Sequence, residues 1–182
     1  MDLYSKALNV LQQNQREGKN PERFYTAPSP YLYLHQWSLD SNCISLIYLK
    51  LYEKYGDKKF AEWSKKEFET IFKAQFPNGK IPAMIKWKKE IRIDTPLYLF
   101  ALQDDWRTGI TSLPLYGYVL ERILESTGDR EYVKKMLPRV EKAMLYLIKE
   151  RDPDRDYLVS IVHPLEQSMD FNRAYKEILG KN

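Results

Sequence analysis

"TSLPLYGYVLERILESTGD", residues 111–129, runs directly into "REYVKKMLPRVEKAMLYLIKERDPD", residues 130–154. The first stretch reads as a helix from about Ser112 to Thr127, apolar around most of its circumference and stopped by Gly128. The second has apolar residues on one helical face and charges on the other, and it ends before Pro153. A helix that is apolar nearly all round belongs inside, whereas one with a single apolar stripe belongs at the boundary. The same order recurs upstream. "NCISLIYLKLYEKYG" (42–56) is largely apolar behind an N-cap at Asp40 or Ser41 and ends at Gly56, while "FAEWSKKEFETIFKAQF" (60–76) has a clear charged face. Pairs of this kind imply an all-α fold built as a two-layer ring of helical hairpins, with inner helices buried and outer helices half exposed.

The rest of the chain is consistent with that class. Leu3, Ala7, Leu8, Val10 and Leu11 share one face of a first helix ending near Gln15. A polar loop at Gly18, Asn20 and Pro21 leads into "RFYTAPSPYLYLHQW" (23–37), extended, aromatic and without helical period. "PNG" at 77–79 breaks the helix before it, and a short helix or strand is expected around Pro96 to Gln103. A last helix opens at about Asp170. Strands of period two are almost absent, and no repeat of about 33–47 residues marks a short-repeat solenoid.

Composition bounds the function. With 182 residues, 43% hydrophobic and 30% charged, the chain is long enough for one domain with a substantial core. A net charge of +4 is too mild for a nucleic-acid partner, and the pairs Lys58-Lys59, Lys65-Lys66 and Lys88-Lys89 read as solvated helix faces. The single cysteine, Cys43, excludes an intrachain disulfide and reads as a small core residue. No run of about 18 apolar residues and no leader-like apolar core occurs, so a cytoplasmic location without membrane contact is expected. Two histidines 128 positions apart, His35 and His163, argue against a histidine metal site. Gly-rich phosphate loops and the Gly-x-Ser-x-Gly elbow are missing, and no cofactor is expected. The unusual figure is the aromatic content: 14 Tyr, 7 Phe and 4 Trp. Flat apolar faces with polar edges suit a sugar-binding cleft as well as a core.

Three polar stretches interrupt the apolar pattern: Tyr33, His35, Gln36, Trp37 and Asp40; "QFPNGKIPAM" (75–84); and His163, Glu166 and Asp170. Each falls in a loop or at a helix start, and all three are expected at the same end of their hairpins, where sites are usually built. Asp40 and Asp170 each also fit a helix N-cap. Two carboxylates across an aromatic cleft suit glycoside hydrolysis, in which one protonates the leaving oxygen while the other activates water or attacks. A proton donor needs a partly buried setting, and the apolar neighbours Met169 and Phe171 make Asp170 the candidate for it.

These motifs resemble a known family. "YLYLHQWSLDSNCISLIYLKLYEKYGD" (31–57) looks like the "YxYQWxWDSxF" opening helix of the (α/α)6-barrel glycosidases, most closely the glucosylglycerate and mannosylglycerate hydrolases, with the processing α-glucosidases behind them. "FPNGKIPAM" (76–84) resembles their "NGmiPhm" loop. Residues 111–170 resemble their stretch from "TqPPl" through "tGDreflrelyPkl" and "rDpdgdGLvsi" to "HPwEsGmDNSP". The resemblance implies that Asp170 is the general acid, that Tyr33, Gln36, Trp37 and Asp40 line the sugar pocket, and that Glu166 supports it. It implies inversion at the anomeric centre, with a general base supplied by a Glu in the second half of the barrel. The chain departs from the pattern at Leu165 ("HPLE"), at Phe171–Arg173 ("SMDFNR") and at Leu113 ("TSLP").

Six helices fit into this chain, whereas a complete toroid needs twelve, or roughly 200 residues with the shortest helices and connections. The expectation is therefore a single domain over residues 1–182 that forms about half of an (α/α)6 toroid. Its carbohydrate site would be completed by a second polypeptide or by self-association. The alternative is a non-catalytic helical remnant that binds carbohydrate or protein.

Overall fold

The computed structural model describes residues 2–31, 33–87, 102–163 and 166. Helix α1 (Leu3–Asn14) leads into strands β1 (Gln15–Lys19) and β2 (Glu22–Thr26). Strand β3 (Gln36–Trp37) precedes helices α2 (Ser38–Tyr55) and α3 (Lys58–Lys73), and strand β4 (Met84–Ile85) follows. Helices α4 (Tyr116–Thr127) and α5 (Arg130–Glu150) form the second hairpin.

Both helical hairpins turn on a Gly-Asp pair. Gly56 and Gly128 take the left-handed conformation at φ 68° and 67°, and each amide closes the last turn of the helix before it. The next residue then opens the outer helix: Asp57 accepts the Lys59 amide at 3.0 Å, and Asp129 accepts the Tyr132 amide at 3.0 Å. The outer helices cross-link as well. Lys65 of α3 bonds Asp129 at 3.0 Å, and the Tyr132 hydroxyl donates to the Lys65 carbonyl at 2.8 Å.

One core unites the two hairpins. Leu49 of α2, Phe68, Ile71 and Phe72 of α3, Tyr116, Val119, Leu120 and Ile123 of α4, and Met136, Val140 and Ala143 of α5 pack together with Ile81. Helices α2 and α3 approach along small residues, with the Ser45 hydroxyl 3.3 Å from the Ser64 carbonyl. A second cluster joins Leu11, Phe24, Ile44, Tyr48, Leu51 and Phe60, tying α1 and β2 to the first hairpin.

Four sequence expectations change. Residues 15–26 form an antiparallel hairpin with Gln15 opposite Thr26, where a polar loop and an extended segment were expected. It forms because α3 supplies partners across the chain: Thr70 accepts the Phe24 amide at 3.1 Å and Trp63 stacks on the Phe24 ring at 6.2 Å. Cys43 is exposed rather than in the core, since the buried arc of α2 runs through Ser41, Asn42, Ser45, Tyr48 and Leu49. Neither Asp40 nor Ser41 is an N-cap, because α2 starts earlier, at Ser38, with Trp37 in the capping position. Helix α4 starts at Tyr116, beyond Pro114. The segment from Pro96 to Ala101, Lys88-Lys89 and the helix expected from Asp170 lie outside the described residues.

The loop after α3 has one inflexible position. Gly79 sits at φ 100°, and an added Cβ would lie 2.3 Å from the Lys142 carbonyl oxygen in α5. Gly79→Ala combines backbone strain with a backbone clash, so a loss of about 2–4 kcal/mol is expected in urea unfolding. An unchanged midpoint would mean that this loop does not press on α5.

Candidate active site

The three polar stretches converge through backbone pairing. Gln36 and Trp37 face Ile85 and Met84 across β3 and β4, and the Ser38 amide donates to the Ala83 carbonyl at 2.9 Å. The Ser38 hydroxyl adds a bond to the Pro82 carbonyl at 2.5 Å. The segment that follows the "NGKIP" loop is stitched in turn to residues 106–110: Lys86 N donates to Trp106 O at 2.7 Å, Met84 N to Thr108 Oγ1 at 3.0 Å, and Ala83 N to Ile110 O at 2.9 Å. Glu166 closes the series by accepting the Thr111 amide at 3.2 Å. Short extended segments thus form a floor beside the N-terminus of α2.

On this floor Tyr33 and Trp37 meet edge to face, with centroids 5.7 Å apart and Tyr33 43% exposed. The pair makes an aromatic corner of the kind that accepts a sugar face. Asp40, in the first turn of α2, is half-buried, and that burial pushes its carboxyl above the ordinary range. Gln36 points the other way. It is fully buried, its Nε2 donating to Ser41 Oγ at 3.0 Å and its Oε1 accepting from Trp87 Nε1 at 2.7 Å. Asp170 lies outside the described residues.

Glu166 is buried and held from several sides. Arg151, at the C-terminal end of α5, forks onto it, Nη1 to Oε1 at 3.0 Å and Nη2 to Oε2 at 2.5 Å, and the Val162 amide donates to Oε2 at 3.0 Å. Burial pushes the Glu166 carboxyl up, but the Arg151 bonds and the two amides outweigh it, so the group sits below its ordinary value. It is therefore an ionised anchor for residues 160–163. Nearby, Lys80 is buried, donating to Gln103 and to the Gly109 carbonyl (2.9 Å), with its ammonium over the Phe76 ring at 4.6 Å.

Two charged residues escape a motif search. Arg151 gives little local signal beyond a cation at a helix end. Glu67 gives a better one: it falls in phase with Phe60, Ser64, Phe68 and Ile71 on the buried arc of α3, the wrong place for a solvated charge. Asp152, Asp154 and Asp156 lie within 4.8 Å of one another, but the Asp152 oxygens accept the amides of Asp156 (3.0 Å) and Tyr157 (3.2 Å), which accounts for the turn without a cation.

A family model for the mannosylglycerate hydrolase MGH1-like glycoside hydrolase domain matches residues 33–181, most of the chain. The chain belongs to this family. Among similar proteins, the mannosylglycerate hydrolase of Rubrobacter radiotolerans is 30% identical over 172 residues, covering 85% of this chain and 36% of that one. Mannosylglycerate hydrolase MGH1 of Selaginella moellendorffii is 27% identical, covering 90% of this chain and 33% of that one. The solved structure of the GH63 mannosylglycerate hydrolase from Thermus thermophilus, in complex with Tris and D-glycerate, superposes with a TM-score of 0.80 at 28% identity. It matches 98% of this chain and 40% of that one. This MGH1-like chain is accordingly all-α, its helical hairpins forming part of an (α/α)6 toroid, and it spans well under half the length of these relatives.

Proposed function

We propose that this chain is the acid-bearing part of an inverting glycoside hydrolase acting on a small glucoside or mannoside, or an oligosaccharide. The observation that carries the reading is the family match over residues 33–181, joined to a floor that gathers the polar stretches beside an exposed aromatic corner. In this reading Tyr33 and Trp37 face the sugar, Asp40 hydrogen-bonds its hydroxyls and Gln36 backs the platform. Glu166 fixes the segment leading to Asp170. Asp170 donates a proton to the leaving oxygen while a carboxylate roughly 6.5–9.5 Å away activates water for inversion. That base comes from a second portion of toroid, supplied by another polypeptide or another copy, and the domain over residues 1–182 is incomplete without it.

The lone Cys43 fits a reducing, cytoplasmic setting. A second reading, a non-catalytic carbohydrate- or protein-binding remnant, is favoured by Leu165 and Phe171–Arg173 around Asp170.

The test is hydrolysis of mannosylglycerate and glucosylglycerate, read as released sugar. The 182-residue chain alone is expected to give no release above background. Co-expression with a polypeptide carrying the complementary helices is expected to restore turnover, and Asp170→Asn to cut it about 100- to 10,000-fold. Turnover by the chain alone, lost on Asp170→Asn, would contradict the need for a partner. Sugar binding without turnover in both preparations would favour the remnant.

A further inference from the structure

Among the described pocket positions of the proposed site, Gln36 is the one whose side chain turns fully into the hydrophobic interior, and its bonds there run in one direction. Trp87 Nε1 is a donor without an acceptor, so the atom facing it at 2.7 Å must be Gln36 Oε1. Gln36 Nε2 then faces Ser41 Oγ at 3.0 Å, and Ser41 has to accept there. The single hydroxyl proton of Ser41 is left for Glu67, whose Oε1 lies 2.5 Å away. Every donor in the series Trp87, Gln36, Ser41 points towards α3, and the series ends on a carboxyl oxygen of Glu67, which is 0% exposed.

We infer that Glu67 is a positioning residue for the candidate sugar site: its carboxyl oxygen terminates a one-way chain that sets the Gln36 amide and the Trp87 indole behind the Trp37 platform. Reach supports this. Gln36 adjoins Trp37 in β3, Trp87 packs on Trp106 at 5.4 Å, and both segments belong to the floor. The group is also suited to the task. Burial pushes the Glu67 carboxyl up to about 8, and bonds from Ser41 and Thr26 offset only part of this. The titratable groups coupled to it are Asp40 and Tyr48 on α2 and Tyr25 on β2, and among the described residues no cation pairs with it. Protonated on Oε2, the carboxyl keeps Oε1 to accept from Ser41 without burying a charge, and glutamine would offer the same acceptor oxygen.

The inference rests on reading Gln36 and Trp37 as pocket residues, so the experiment separates the two. The full chain, labelled at its tryptophan indoles, is compared with Glu67→Gln, Glu67→Met and Ser41→Ala, with correct folding checked by circular dichroism. Expected is a shifted Trp87 indole resonance with exchange about tenfold faster or more in Glu67→Met and Ser41→Ala, and near-native behaviour in Glu67→Gln. Ser41→Ala carries the test if Glu67→Met fails to fold. Mannosylglycerate titration then reads the pocket, with about tenfold weaker binding expected in both cut chains and rescue in Glu67→Gln. A folded cut variant with native Trp87 behaviour overturns the inference. Altered Trp87 behaviour with unchanged sugar affinity overturns the link to the site. Trp87 shifts without sugar binding by any form support the chain of bonds and count against the pocket reading instead.

Discussion

Arg151→Met is expected to destabilise the chain by about 3–5 kcal/mol, because it strands a buried carboxylate. The side chains of Arg151 and Glu166 are 6% and 4% exposed. The guanidinium spans both carboxylate oxygens while its Nε and Nη2 hold the Ser160 carbonyl at 3.1 and 2.6 Å. Methionine keeps the volume of the stem but none of these bonds. Glu166 would retain two amides, from Thr111 and Val162, too few to hold a charge away from water. Its pKa must then rise. In the parent chain that pKa is lowered, so its contribution is present above the ordinary value of 4.5 and is lost as pH falls through the folded value. The difference between parent and variant in urea unfolding should therefore be largest at neutral pH and shrink in acid. Adding Glu166→Gln to Arg151→Met should recover part of the loss, since no stranded charge remains. A single-variant loss below about 1 kcal/mol would place this pair among surface ion pairs and remove its claim to anchor residues 160–163.

How much of this was legible in the sequence depends on range. The helical hairpins were, because their signals are local: apolar phase, Gly56 and Gly128 at the stops, and charges on the outer helices. The convergence of the "YLYLHQW" and "NGKIP" stretches was also legible as a common end. Strands β1 and β2 were not. "QREGK" is polar throughout, and in "ERFYT" the consecutive residues Phe24, Tyr25 and Thr26 are all buried, with no period of two to read. That hairpin exists because α3 lies beside it. Asp40 looked like a cap because its residue type fits one, but the pairing of β3 with β4 starts the helix three residues earlier, with Trp37 in the capping position. Arg151 and Glu67 were opaque for a further reason: their roles depend on partners 15 and 26 positions away, which no local pattern specifies.

The second large effect is a stability that falls as pH rises. A group whose folded pKa lies above its unfolded one keeps its proton in the folded state over an interval where the unfolded chain has lost it. For Glu67 that interval runs from 4.5 to about 8, so unfolding becomes easier with pH across it and the stabilisation is gone above it. The limiting slope for one proton is about 1.4 kcal/mol per pH unit, which makes this among the steepest dependences a single side chain can impose. Asp40 is shifted in the same direction and adds to the slope at its acid end. The parent curve alone therefore does not isolate Glu67, but the difference from Glu67→Gln does. The glutamine variant has no proton to lose, so its profile should be flatter. It should be no more stable than the parent near pH 5 and clearly more stable near pH 9, by several kcal/mol if the carboxyl stays dry when it ionises. Urea unfolding of both chains at half-unit steps of pH measures this. Parallel profiles would show that water reaches Glu67 on ionisation, and a wet carboxyl there would leave Ser41 and Gln36 without a fixed terminus.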